Sequence, residues 1–148
     1  MSRSSSARSS KMPTRPKAKN TPSPRFEITN TTKGKLPRLP FAHIKNTVLG
    51  PSYDLSFVVV GDSRSRMLNK QYRGKDKPTN VLSFSLSKNE GEIIMNLKKA
   101  RSEMKVFDEK FPNFVGYLFI HGLLHLKGHQ HGSTMEEAER KIRRKFKL

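Results

Sequence analysis

The chain contains no cysteine and no tryptophan, and only 12 acidic residues stand against 30 lysines and arginines. Without cysteine there can be no disulfide and no thiolate ligand, so a transition metal would have to be held by histidine, with carboxylate as the other option. The shortage of acid leaves a formal charge of +18 and a pI of about 10.6. That balance favours an anionic partner, and nucleic acid is the commonest one for a small basic protein. Charge by itself names no ligand, and a plain solubilising role competes with this reading. Also missing is any apolar run near the roughly 20 residues that span a bilayer, since Phe114 to Leu126 is shorter and is interrupted by His121 and His125. A protein free of membrane spans is expected. Hydrophobic residues make up 33% of 148 positions, enough for one modest core and one domain.

The first 25 residues are Ser, Pro, Lys and Arg with almost no large apolar side chain. They cannot offset the entropy of ordering and are expected to form a disordered basic tail, with a folded domain over 26–148. Residues 1–26 hold seven of the cations and no acid, so +11 remains on the rest. The tail could follow RNA phosphates or act as an organellar transit peptide; Pro13, Pro16, Pro22 and Pro24 weigh against the amphipathic face a transit peptide needs. A cytoplasmic location is expected, with mitochondrion or plastid as the alternative if the tail is a transit peptide.

Along the domain, Phe26 to Thr32 alternates weakly and predicts an edge strand. Phe41, Ile44 and Val48 fall at helical spacing after Pro40. Tyr53 to Val60 ends in a continuous apolar run, the pattern of a central strand buried on both faces. A helix should run from an Asp62 or Ser63 cap to about Tyr72 with Met67, Leu68 and Gln71 turned inward or nearly so. Val81 to Ser87 alternates strictly, with Leu82, Phe84 and Leu86 facing the core and Ser83, Ser85 and Ser87 facing a polar surface or groove. Asn89-Glu90-Gly91 then turns the chain into a strand over Glu92 to Leu97, a hairpin with the serine strand. A polar surface helix is expected over Lys98 to Asp108. A core helix should follow Phe111-Pro112, and the last helix should open at Ser133 or Thr134 with Met135, Ala138, Ile142 and Phe146 inward.

Four of the five histidines crowd into His121-Gly122-Leu123-Leu124-His125-Leu126-Lys127-Gly128-His129-Gln130-His131. His121 and His125 are four apart on the core helix, so their imidazoles share a face and can share a cation. Gly128 can end that helix in a left-handed conformation and swing a later histidine back towards the first two. The spacing His-x-x-x-His-x-x-Gly-x-x-His matches the zincin ligand pattern and favours His131 as third ligand. His129 could replace it or sit beside the metal as a proton donor. Three imidazoles leave a fourth tetrahedral position open for water, the pattern of catalytic zinc. The plain alternative is helix-face histidines with ordinary hydrogen bonds. Metzincin proteases carry a glutamate after the first histidine, where this chain has Gly122, so a protease would lack its base.

The same eleven residues resemble the signature of the YbeY family of metal-dependent endoribonucleases and ribosomal RNA maturation factors. A second stretch, Leu68-Asn69 through Tyr72-Arg73-Gly74-Lys75-Asp76-Lys77-Pro78-Thr79-Asn80-Val81-Leu82-Ser83-Phe84, is similar to that family's other motif block. Glu90-Gly91-Glu92-Ile93-Ile94 is similar to its Gly-Asp-Ile-Val strand, with Glu92 in place of the usual aspartate. The resemblance implies a compact α/β (α+β) domain with a small, mixed, mostly antiparallel sheet covered by helices and the metal site at the end of a core helix. It implies His121, His125 and His131 as ligands of one zinc ion and Arg73 as the functional arginine, a fork of donors suited to phosphate. Because Gly122 supplies no base, proton transfer falls to His129, to a group behind the ligands or to the RNA. Two functions follow as expectations: a single-strand-specific endoribonuclease acting on ribosomal RNA with the small ribosomal subunit as partner, or a metal-stabilised RNA-binding assembly factor that cuts nothing.

Overall fold

In the computed structural model, which describes residues 26–148, the chain runs β1 (Phe26–Asn30), α1 (Phe41–Leu49), β2 (Asp54–Val60), α2 (Asp62–Arg73), β3 (Val81–Ser87), β4 (Glu90–Asn96), α3 (Leu97–Glu103), α4 (Phe111–Lys127) and α5 (Ser133–Phe146). The basic tail expected over residues 1–25 lies outside the described residues. The four strands form one sheet in the order β1-β2-β4-β3. All seven residues of β2 are buried, which places the apolar run in the interior of the sheet as its composition requires. β1 is an edge strand, as its weak alternation suggested.

The sheet is mixed, but its balance corrects the expectation of a mostly antiparallel one. β1 pairs with β2 and β2 with β4 in parallel, and only β3 with β4 is antiparallel. The connections decide this. Helix α1 carries the chain between β1 and β2 and returns it in the same direction; α2 leads to β3, which runs the opposite way at the far edge, and the tight β3–β4 turn then brings β4 back parallel to β2. A bulge between Ser85 and Ser87 closes that hairpin.

Each face of the sheet has its own core. Leu55, Phe57, Val59, Ile93 and Met95 meet α1, α3, α4 and α5, with Phe41, Phe57 and Phe119 in mutual ring contact at 4.7–5.2 Å between centroids. Val58, Val60, Leu82, Phe84 and Ile94 meet Leu68 of α2, with Tyr72 packed alongside. Strict alternation along β2 and β3 produces this division. Leu86, at the end of β3, is exposed rather than in the core.

The inward face of α2 also departs from expectation. Met67 is exposed, as is Gln71, and the helix buries Ser65, Leu68 and Asn69. Those polar side chains face inward because the loop after α2 needs partners for its backbone. Asn69 Nδ2 donates to the Lys77 carbonyl at 2.9 Å, and Ser65 Oγ accepts from the Thr79 N–H at 3.3 Å and from Asn96 Nδ2 at 3.0 Å. Two expected caps are replaced by glycines: Gly61 precedes α2 and Gly132 precedes α5, each without a side-chain cap. Asp62 instead accepts from Asn96 Nδ2 at 2.8 Å. Helix α3 ends at Glu103, short of Asp108; a turn held by bonds from Val106 N–H to the Glu103 carbonyl and from Glu109 N–H to the Met104 carbonyl replaces its last part.

Candidate metal centre

Helix α4 owes its place to burial of Phe114, Val115, Leu118, Phe119, Leu123 and Leu124, an apolar surface wide enough to fix its rotation. His121 and His125 then stand on the same partly open side. At its end Gly128 takes φ 108°, in the left-handed region. Its N–H bonds the His125 carbonyl at 3.0 Å, and the His129 N–H bonds the Leu124 carbonyl at 2.9 Å. This pair of bonds is a Schellman turn, and it sends the chain back across the helix end.

The turn brings His131 to the other two rings. Ring centroids are 4.6 Å apart for His121 and His125, 4.6 Å for His125 and His131, and 5.2 Å for His121 and His131. One ligand-capable atom from each of these three lies within 4.8 Å of the others. The ring of His129 is not in the trio. Its main chain is, because the His129 carbonyl accepts a hydrogen bond from His125 Nδ1 at 3.1 Å.

A second tie was not foreseen. Glu139 on α5 is buried, and its Oε2 accepts from His121 Nδ1 at 2.5 Å. A carbonyl and a carboxylate can only accept, so both Nδ1 atoms carry the proton and both Nε2 atoms present lone pairs. Those Nε2 atoms are 3.1 Å apart. Two acceptors at that distance repel unless something positive lies between them. Zinc bound at about 2.0–2.1 Å would place two tetrahedral nitrogens about 3.3 Å apart, so the spacing fits a shared cation. Burial, and then the closeness of the His121 and His131 rings, which would compete for the same proton, pushes the His125 imidazole down to about 4, so it is a neutral lone-pair donor at neutral pH. Behind a ligand histidine, a carboxylate of the Glu139 kind fixes ring orientation and raises ligand basicity. The sequence did signal its inward place: it lies four residues after Met135 and three before Ile142, on the stripe that α5 buries.

Gly122, where the base of a protease would stand, lies tightly against the sheet. A Cβ there would stand 3.0 Å from Ser83 Oγ and 3.2 Å from Ile93 Cδ1, and Ser83 Oγ donates to the Gly122 carbonyl at 3.1 Å. The serine face of β3 is therefore the surface on which the end of α4 rests. Arg73 is the exposed last residue of α2, next to Gly74 in the left-handed conformation. Its positive charge reaches far enough to contribute to the depression at His125. The arginine and the histidines are carried by helices packed on opposite faces of the sheet.

The sequence profile described as "Endoribonuclease YbeY" matches residues 25–147. Proteins named "Endoribonuclease YbeY" are 40% identical over 108 residues in Thermodesulfovibrio yellowstonii, covering 68% of this chain and 67% of that one, and 37% identical over 111 residues in Geobacillus sp. (strain WCH70), covering 65% and 70%. One from Neorickettsia sennetsu is 36% identical over 110 residues, covering 67% and 77%. Among solved structures, the solution structure of TM1509 from Thermotoga maritima superposes with a TM-score of 0.57 at 25% identity, covering 80% of this chain and 86% of that one. The profile takes in all nine elements and both motif blocks, and on that breadth the chain belongs to the YbeY family.

Proposed function

We propose that this protein is a metal-dependent endoribonuclease that processes ribosomal RNA, with single-stranded regions as its substrate and the small ribosomal subunit as the setting in which it meets them. The observation that carries the reading is the convergence of His121, His125 and His131, two of them with Nδ1 tied back and Nε2 turned inward. The ion we assign is zinc, because an all-imidazole set without thiolate suits it and leaves a position open. When bound, such a cation polarises a phosphoryl oxygen and makes water a nucleophile near neutral pH. The relatives named as endoribonucleases and the charge of +18 support RNA as the substrate.

The chain's own residues divide the remaining work. Glu139 and the His129 carbonyl hold two imidazoles in the ligating tautomer. Arg73 offers planar paired donors to a phosphate and balances charge that develops on it. The His129 ring, outside the trio, is our choice for moving a proton to the leaving oxygen.

Labelled single-stranded RNA incubated with purified protein, with and without chelator, tests this. Cleavage is expected to stop on chelation, return with zinc and be absent in His121→Ala. RNA binding without cleavage under all conditions would instead favour a metal-stabilised assembly factor, and cleavage by His121→Ala would mark a contaminant.

A further inference from the structure

The exposed surface beyond the metal centre carries an aromatic and a row of cations that the proposed chemistry does not use. Phe107 is 57% exposed and Val106 81% exposed on the turn between α3 and α4. The turn is ordered by its own backbone bonds, from Asp108 N–H to the Lys105 carbonyl and from Glu109 N–H to the Met104 carbonyl. Phe107 is also held flat: its ring stacks on the buried ring of Phe114 at 5.3 Å with 25° between planes. One face of that phenyl is supported by the core while more than half of the residue is open to solvent.

Helix α5 links this turn to the histidines. At one end Glu139 bonds His121; one turn further on, Arg143 Nη2 donates to Glu109 Oε1 at 2.9 Å, beside the Phe107 turn. Next to Arg143 are Arg140 and Arg144 on the outward side of the helix and Lys147 at its C-cap, all exposed and none paired with an acid among the described residues. The helical repeat sets Arg140 and Arg144 one turn apart, and Lys147 extends this basic stripe from the left-handed residue that caps the helix. The acids of α5 that are exposed, Glu136 and Glu137, lie in the first turns, so the stripe is basic from Arg140 onward. Lys105 and Lys110 flank the aromatic from the turn itself, against a single exposed acid there, Asp108.

We infer that Phe107 and the Arg140–Arg144–Lys147 stripe form a track for RNA flanking the cleaved phosphate, with an unpaired base stacked on Phe107 and backbone phosphates along α5. An aromatic face between unpaired cations is the arrangement that binds single strands without regard to sequence. A protein-docking patch would present more apolar area than Val106 and Phe107 provide. The inference rests on RNA being the substrate and adds where the strand lies beyond the reacting group.

The absence of tryptophan supplies the test. Phe107→Trp gives the full-length, metal-loaded protein a single indole. Its fluorescence is followed on rapid mixing with oligoadenylate, before turnover, and with an abasic strand of the same length. Quenching is expected with oligoadenylate and not with the abasic strand. Phe107→Ala should weaken oligoadenylate binding about five-fold or more. The triple change Arg140→Gln, Arg144→Gln, Lys147→Gln should flatten the slope of log affinity against log salt by about 0.7 per lost contact. No quenching together with wild-type affinity and salt slope in both variants would overturn the track. So would quenching by RNA-free ribosomal proteins and not by oligoadenylate, which would assign the turn to protein docking. Because binding is read before turnover, a failure to cleave would count against the proposed activity alone.

Discussion

The two faces of the sheet are covered very unequally. One carries four helices and a contiguous core from Phe41 to Met135, the other a single helix that adds Leu68 to five buried apolar side chains of the sheet, and a polar network. The histidines belong to the heavily packed side, and Arg73 ends the helix on the lightly packed side. Ligand geometry must hold to within a few tenths of an ångström, and it is built where packing is dense. A guanidinium that meets a moving phosphate needs less rigid support. The comparison predicts that changes on the two sides will fail in different ways.

The largest effect is expected at the ligands. His121→Ala or His125→Ala should lose stoichiometric metal and all cleavage, while His129→Ala should keep its metal; elemental analysis checks this. Zinc retained by His131→Ala and lost by His129→Ala would reverse the assignment of the third ligand. Next come the cores themselves. Phe119→Ala, at the centre of the thick side, should cost about 3–5 kcal/mol and lower metal occupancy with it, whereas Leu68→Ala on the thin side should cost about 2 kcal/mol and leave the metal in place. Equal costs, or equal metal loss, in denaturation and metal titrations would erase the distinction drawn between the faces.

Arg73→Ala should lower kcat by about 10²–10³-fold with metal content and stability near wild type, the scale for removing one donor to developing charge. Arg73→Lys keeps the charge without the fork; rescue in KM alone would reduce the residue to substrate binding. Glu139→Gln is subtler, because an amide can still hold the ring but no longer as a carboxylate. Metal affinity should fall about 10–100-fold, and chelator competition would measure it. The smallest effect lies at the mouth of α2. The Asn96 amide, then Lys98, holds the Asp62 carboxyl below its ordinary value, against some opposing burial. A depressed folded-state value stabilises above the unfolded value and is lost as pH falls through the folded one. The stability gap between wild type and Asp62→Asn should therefore be present at neutral pH and close below about pH 4. A gap that persists in acid would show that the contact does not depend on charge.

Much of the heavily packed side was legible in the sequence. The spacing of His121 and His125, the glycine that ends α4 and the apolar breadth of that helix depend on neighbours a few residues away, and such local signals survive in one dimension. The thin side was harder. Ser65 and Asn69 face inward to serve a loop backbone, which no hydrophobic pattern announces, so the apolar spacing points Met67 inward while the fold leaves it exposed. Strand order was hidden for a related reason: whether β2 meets β4 in parallel is settled by the crossover and not by the residues of either strand. Glu139 shows the same limit within the site. Its inward phase on α5 could be read, but its partner, eighteen positions earlier, could not.

The closeness of α4 to Ser83 and Ile93 at Gly122 also bears on what this fold can become. Metal-dependent peptidases and this chain share a histidine spacing, and exchange of the residue after the first histidine is the shortest formal route between the two chemistries. Here any side chain at that position meets the sheet before it meets solvent. Acquiring a carboxylate there would first require the Ser83 and Ile93 side chains to give way by a few tenths of an ångström. The contact weighs against that exchange: with the helix settled on the serine strand, the fold favours reactions whose proton carriers come from elsewhere in the chain or from the substrate.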